Sequence, residues 1–241
     1  MPTLLLRLAG PMQSWGTDSR FGVRDTRREP SKSGVIGLVA AALGIRRDDD
    51  ARLARLAPMR LGVRVDHVGT VGRDYQTAGG GEVPGRKHYG VIKASGSKGE
   101  TVLSTRYYLA DAEFLVGLGS GDGALLREID LALEAPVWPP YLGRRAFAGT
   151  PPLRLGIVAE DLEDALRLQP WVSRGERDQL PQEGLRLLLE SNDPTGQARY
   201  DSPVSFCSEN RQYRLRYLTE AWVTHDQVLT EVAHVPLPVS A

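Results

Sequence analysis

Between Thr3 and Leu133 the apolar spacing changes period several times, and that order restricts the chain to few folds. Thr3–Leu8 is a compact apolar run ended by Gly10-Pro11, the pattern of a buried strand. From Ser31 the spacing becomes helical through Val35, Leu38, Val39, Ala42 and Leu43, with Pro30 and Ser31 as a start and Gly44 as a stop. Met59–Val65 then alternates Met59, Leu61, Val63 and Val65 with Arg60, Gly62 and Arg64, which predicts a half-buried strand with an Arg-bearing polar face. Strand character returns at Thr105–Leu109 and Phe114–Leu118, with a break at Ala110-Asp111. A second amphipathic helix runs over Gly123–Leu133, closed by Pro136. Strand, helix, strand, hairpin, strand, helix is the ferredoxin-like order, an α+β class.

The segment Gly69–Gly99 interrupts that order. It is glycine-rich, carries Arg73, Arg86, Lys87, Lys93 and Lys98, and has too few large aliphatics to pack as a core element, so it reads as a mobile projecting arm. Beyond Pro151-Pro152, short strand-like pieces at Leu153–Val158, Leu185–Leu189 and Tyr213–Leu218 suggest a small β-rich domain over residues 151–241, after a first domain over 1–150. The acidic stretch Glu160–Asp164 reads as a solvated helix start.

The 241 residues carry equal numbers of acids and bases, but not evenly. Residues 1–110 hold 18 Lys and Arg against 10 Asp and Glu, and residues 111–241 hold 12 against 20. A basic half beside an acidic half fits binding of a polyanion through one region, because phosphate affinity follows local cation density. The bases are 26 Arg and 4 Lys, which either suits phosphate forks or follows from a GC-rich genome. No long apolar run and no leader pattern occurs, so no membrane partner is expected and the expected location is cytoplasmic. A lone cysteine, Cys207, forms no internal disulfide and no thiolate metal site, and neither cofactor nor metal is expected.

Three clusters carry possible chemistry. The loop Gly10–Glu29 concentrates Gln13, Ser14, Trp15, Arg20, Arg24, Arg27 and Arg28 just before a helix opening Pro30-Ser31-Lys32-Ser33-Gly34. Orphan amides at that helix start, with Ser31, Lys32 and Ser33, would make a phosphate seat; an ordinary capped helix beside a solvated loop is the plainer reading. Trp15 either stacks on a base or plugs the core. The second cluster, Gly72-Arg73-Asp74-Tyr75-Gln76-Thr77 at the base of the arm, combines a cation, an aromatic face and hydroxyls. The third, Tyr141-Leu142-Gly143-Arg144-Arg145, pairs two guanidiniums with a glycine that would admit a ligand close to the backbone.

These motifs carry a resemblance. Leu6-Arg7-Leu8-Ala9-Gly10-Pro11-Met12-Gln13-Ser14-Trp15-Gly16 closely resembles the start of the type I-E members of the fifth Cas family, in the RAMP superfamily of CRISPR proteins. Pro30-Ser31-Lys32-Ser33-Gly34, Arg73-Asp74-Tyr75-Gln76-Thr77, Tyr108-Leu109-Ala110-Asp111-Ala112 and Pro140-Tyr141-Leu142-Gly143-Arg144-Arg145 follow in the family's order, while the C-terminal part is similar only loosely. The resemblance implies an RRM-like ferredoxin fold with a protruding thumb hairpin inserted at about residues 69–103. It implies a non-catalytic subunit of the Cascade complex that grips the 5′ handle of the CRISPR RNA in antiviral defence. The partners implied are the backbone subunit CasC, against the thumb, the large subunit CasA, and target DNA near its PAM-proximal end. RNA contact is carried to Trp15, Arg24, Arg28, Lys32, Ser33, Arg73, Tyr75, Arg144 and Arg145, with Ser14, Arg20, Arg27, Thr77, Arg106 and Tyr141 as their neighbours.

Two other readings stand beside this one. A related member in another subtype cleaves precursor RNA without metal through Tyr, Lys and His, and Lys87-His88-Tyr89 offers those types, although a glycine-rich arm positions them poorly for catalysis. Pure scaffolding, with incidental RNA contact, is the third; the charge split argues against it.

Overall fold

The computed structural model describes residues 1–17, 22–79, 91, 101–174, 178–228 and 230–232. In chain order its elements are β1 (Thr3–Ala9), β2 (Met12–Gln13), β3 (Val23–Arg24), α1 (Lys32–Ala42), α2 (Asp50–Leu56), β4 (Arg60–His67), β5 (Thr70–Ala78) and β6 (Val102–Ala110). There follow β7 (Glu113–Gly119), α3 (Gly123–Glu134), β8 (Arg154–Val158), α4 (Leu162–Leu168), β9 (Trp171–Ser173), β10 (Leu185–Ser191), β11 (Gln197–Ser205), β12 (Gln212–Val223) and β13 (Thr230–Val232). Seven strands form one antiparallel sheet in the order β11-β12-β10-β4-β7-β1-β8. Within it, β1, α1, β4, β7, α3 and β8 make a strand-helix-strand-strand-helix-strand series whose strands lie in the spatial order fourth, first, third, second.

Leucines at consecutive positions of β1 explain its central place. Leu4, Leu6 and Leu8 enter the larger core with Leu61, Val63, Val65, Phe114, Val116 and Leu118, under α1, α2 and α3. Leu5 points to the other face and packs with Leu115, Leu162, Leu166 and Trp171. Both faces of the middle strands are therefore covered, and β4 departs from the half-buried expectation. Gly62 and Gly117 leave room for α4, since a Cβ on Gly62 would stand 2.6 Å from Leu166 Cδ1. Arg64 is 1% exposed, its guanidinium paired with Asp66 and donating to the carbonyls of Leu166, Gln169 and Pro170. A guanidinium has enough donors to cap the end of a short helix, and that is how an Arg at a strand-like polar position became a core residue.

The expected separate C-terminal domain is not what forms. β10 pairs with β4, β8 pairs with β1, and Leu188 sits in the same core as Leu4 and Leu61. The physical reason is the second edge of β4: β7 pairs with one side of it, and β10 satisfies the backbone groups of the other. β5 is a nine-residue strand at the start of the segment read as a projecting arm, antiparallel to β6. The interior of that arm, with Arg86, Lys87, His88, Tyr89, Lys93 and Lys98, lies outside the described residues. The helices at Ser31–Gly44 and Gly123–Leu133 appear as expected, with Ser31 and Asp122 as N-caps and Gly44 at φ +66°. No helix among the described residues is long and apolar enough to cross a membrane.

Candidate nucleic-acid interface

A small second sheet stands off the main one, organised by β6. β5 runs along one side of β6 from Thr70 opposite Ala110 to Ala78 opposite Val102, and β2 and β3 share its other side. The register sets Arg106 between Asp74 on β5 and Arg24 on β3, so the three side chains share one face. Tyr108 and Ser104 lie on that face too, Tyr108 opposite Gly72, whose missing side chain admits the phenol ring. Arg106 is half-buried, and its Nε donates to Ser104 Oγ at 3.0 Å.

The loop after α3 brings a third cation onto this face. Leu142 is buried in the core, its N–H donates to the Phe147 carbonyl, and Ser14 N–H donates to the Leu142 carbonyl. Gly143 at φ +87° lies so tightly on Ser14 that an added Cβ would stand 1.7 Å from the Ser14 carbonyl oxygen. The close approach that glycine permits is thus to Ser14, not to a ligand. Arg144 follows, seated over the Phe147 ring at 5.2 Å, with Nη2 donating to the Tyr107 carbonyl at 2.6 Å. Ser14 Oγ donates to the same carbonyl at 3.2 Å. Arg144 Nη1 is buried and makes no hydrogen bond among the described residues. Burial, and then the positive charges of Arg106 and Arg24 against the opposing charge of Asp74, lower the affinity of this guanidinium for its proton. Three guanidiniums whose charges interact, one with a nitrogen unpaired among the described residues, concentrate positive charge of the kind a phosphate oxygen can neutralise.

The sequence-expected residues divide. Ser14, Arg24, Arg106 and Arg144 come together; Arg145 is exposed and Tyr141 half-buried on the same loop, and Arg28 is exposed. Arg73, Tyr75 and Thr77 are exposed on the opposite face of β5, with Leu103, Thr105 and Tyr107 across from them, because alternate residues of a strand point to opposite sides. Arg27 braces the loop, its Nε donating to Thr17 Oγ1 and its N–H to the Trp15 carbonyl. Arg20 lies outside the described residues.

Two expectations are corrected. Trp15 is 1% exposed, packed on Gly34 with Nε1 donating to Gln13 Oε1, so its ring is a core plug and offers no face to a base. The helix start at Ser31-Lys32-Ser33 is an anion seat that the chain fills itself. Lys32 N–H donates to Asp201 Oδ2 at 2.8 Å, Lys32 Nζ to Glu190 Oε1 at 2.7 Å, and Ser31 Oγ accepts from Gly34 N–H. Lys32 is 2% exposed, and burial lowers its pKa against the pull of Glu190. Arg216 closes the network on Asp201. Ser33 is half-buried beside Ser31. Sequence reasoning missed Ser104, Phe147 and the Tyr107 carbonyl, none of which carries a motif signal of its own. Among the described residues no group of His, Cys, Asp and Glu is arranged to hold a metal ion.

The comparison with known families gives this antiparallel α+β chain its class, the CRISPR-associated proteins. The family model described as CRISPR-associated protein (Cas_Cas5) matches residues 3–219, and the chain belongs to that family. It is similar to the CRISPR system Cascade subunit CasD of Escherichia coli strain K12, 41% identical over 175 residues that cover 68% of this chain and 75% of CasD. A chain solved within a CRISPR RNA-guided surveillance complex superposes with a TM-score of 0.78 at 37% identity, covering 96% of this chain and 95% of that one. A crystal structure of a Cas protein gives 0.72 at 38% identity, covering 95% and 98%.

Proposed function

We propose that this chain is a non-catalytic, cytoplasmic subunit of a type I-E Cascade complex that holds the 5′ handle of the guide RNA. The observation that carries the reading is the Arg24, Arg106 and Arg144 cluster, with an Arg144 Nη1 that is buried and unpaired among the described residues. Such a group gains most from a phosphate oxygen arriving at fixed geometry. The split strand-helix series serves as an RRM-like ferredoxin platform, from which β5 and β6 extend as the thumb. Arg28, Arg145 and Tyr141 extend the contact along the RNA backbone, and Arg73, Tyr75 and Thr77 offer a second patch on the far face. That far face also exposes Val23, Val71 and Leu103, an apolar character that suits the backbone subunit CasC. CasA, and target DNA near its PAM-proximal end, complete the partner set. Base pairing by the guide, and not this chain, selects the target.

The experiment is co-purification. A tagged copy expressed with its neighbouring CRISPR genes is expected to bring down a short RNA of uniform 5′ end. Recovery of the other subunits without RNA contact by this chain, read by crosslinking, would favour scaffolding. Cleavage of labelled repeat RNA by the purified chain in chelator would favour the endoribonuclease reading instead.

A further inference from the structure

The cationic face contains one residue that a simple phosphate seat does not need. Asp74 sits directly opposite Arg106 on β5, close enough to Arg144 for their charges to interact, yet among the described residues its carboxylate makes no hydrogen bond and no ion pair. It is half-buried and belongs to the same face as Arg24. A carboxylate here opposes every phosphate the three guanidiniums attract. It also supplies a charged acceptor with no donor, a kind of group that guanidiniums cannot provide. We infer that Asp74 is a specificity residue, accepting hydrogen bonds from the Watson–Crick edge of one nucleobase while the guanidiniums hold the flanking phosphates. The inference rests on the RNA-binding reading above.

The chemistry selects the base. Guanine presents adjacent N1–H and N2–H donors that match two carboxylate oxygens, and cytosine or adenine presents one amino group. Uracil sets a single N–H between two carbonyls that repel the carboxylate. One nucleotide position should therefore favour amino-bearing bases, guanine foremost, over uracil by about tenfold, the size of a good base contact.

The test selects a library of single-stranded RNA with randomised sequence on the full chain, and repeats it with Asp74→Ala and Asp74→Asn. The expected result is one position with the guanine preference, flattened by Asp74→Ala and changed by Asp74→Asn toward a base edge that pairs a donor with an acceptor. Unchanged preferences with uniformly tighter binding by both variants would overturn the inference, leaving Asp74 as a charge balance only. Salt-dependent binding by the parent chain without preference at any position would overturn it as well. If the parent chain bound no RNA at all, the reading beneath it would fall too. Circular dichroism of both variants checks that the fold is retained.

Discussion

Arg144 draws its position from three neighbours that no local pattern in the sequence connects: the Tyr107 carbonyl, the Phe147 ring and the Ser14 backbone behind Gly143. Lysine at this place keeps the charge but loses the planar fork, so Arg144→Lys is expected to weaken RNA binding nearly as much as Arg144→Ala, measured by fluorescence anisotropy. Gly143→Ala meets both a left-handed backbone and the Ser14 carbonyl. It is expected to cost about 1–3 kcal/mol or more of stability, read as a lowered Tm. The paired arginines after a glycine were legible as a site, but the glycine's contact was not, because spacing does not reveal which backbone lies underneath. Trp15 was legible only as an aromatic with two uses, and burial decided between them.

At the scale of the element, α1 shows where reading stops. Its limits follow from Pro30, Ser31 and Gly44, all local signals. The carboxylate that fills its N-terminus comes from Asp201, 169 residues along the chain, and no local pattern announces it. Removing one member of this buried network leaves a charge without its partner, so Asp201→Ala is expected to cost about 3–5 kcal/mol in chemical denaturation. Replacing both charges, Asp201→Leu with Arg216→Met, is expected to recover only part of that loss, because the buried Lys32 N–H still lacks its acceptor. β5 was hidden for a different reason. Nearly all of its residues are exposed, so it carries no apolar alternation and gains its place from nine residues of pairing with β6.

For the whole molecule the informative error is the domain boundary. Local strand signals at Leu185–Leu189 and Tyr213–Leu218 were right, whereas β4, the strand that joins the first of them to the rest of the sheet, lies more than a hundred residues earlier in the chain. Pairing partners are a long-range property, set by which strand edge needs covering. A fragment of residues 1–158 therefore lacks β10 and Leu188 from the shared core, and it is expected to show no cooperative denaturant transition, measured by circular dichroism. A cooperative transition in that fragment would restore the two-domain description.

The account centres on one face of the small sheet as the seat for RNA phosphates. The most direct measurement is the salt dependence of binding to single-stranded repeat RNA by the parent chain and by the Arg106→Ala, Arg144→Ala double variant. A slope shallower by about 0.7 for each lost phosphate contact, with weaker binding at every salt concentration, is the predicted result. An unchanged slope and affinity in the double variant would contradict it.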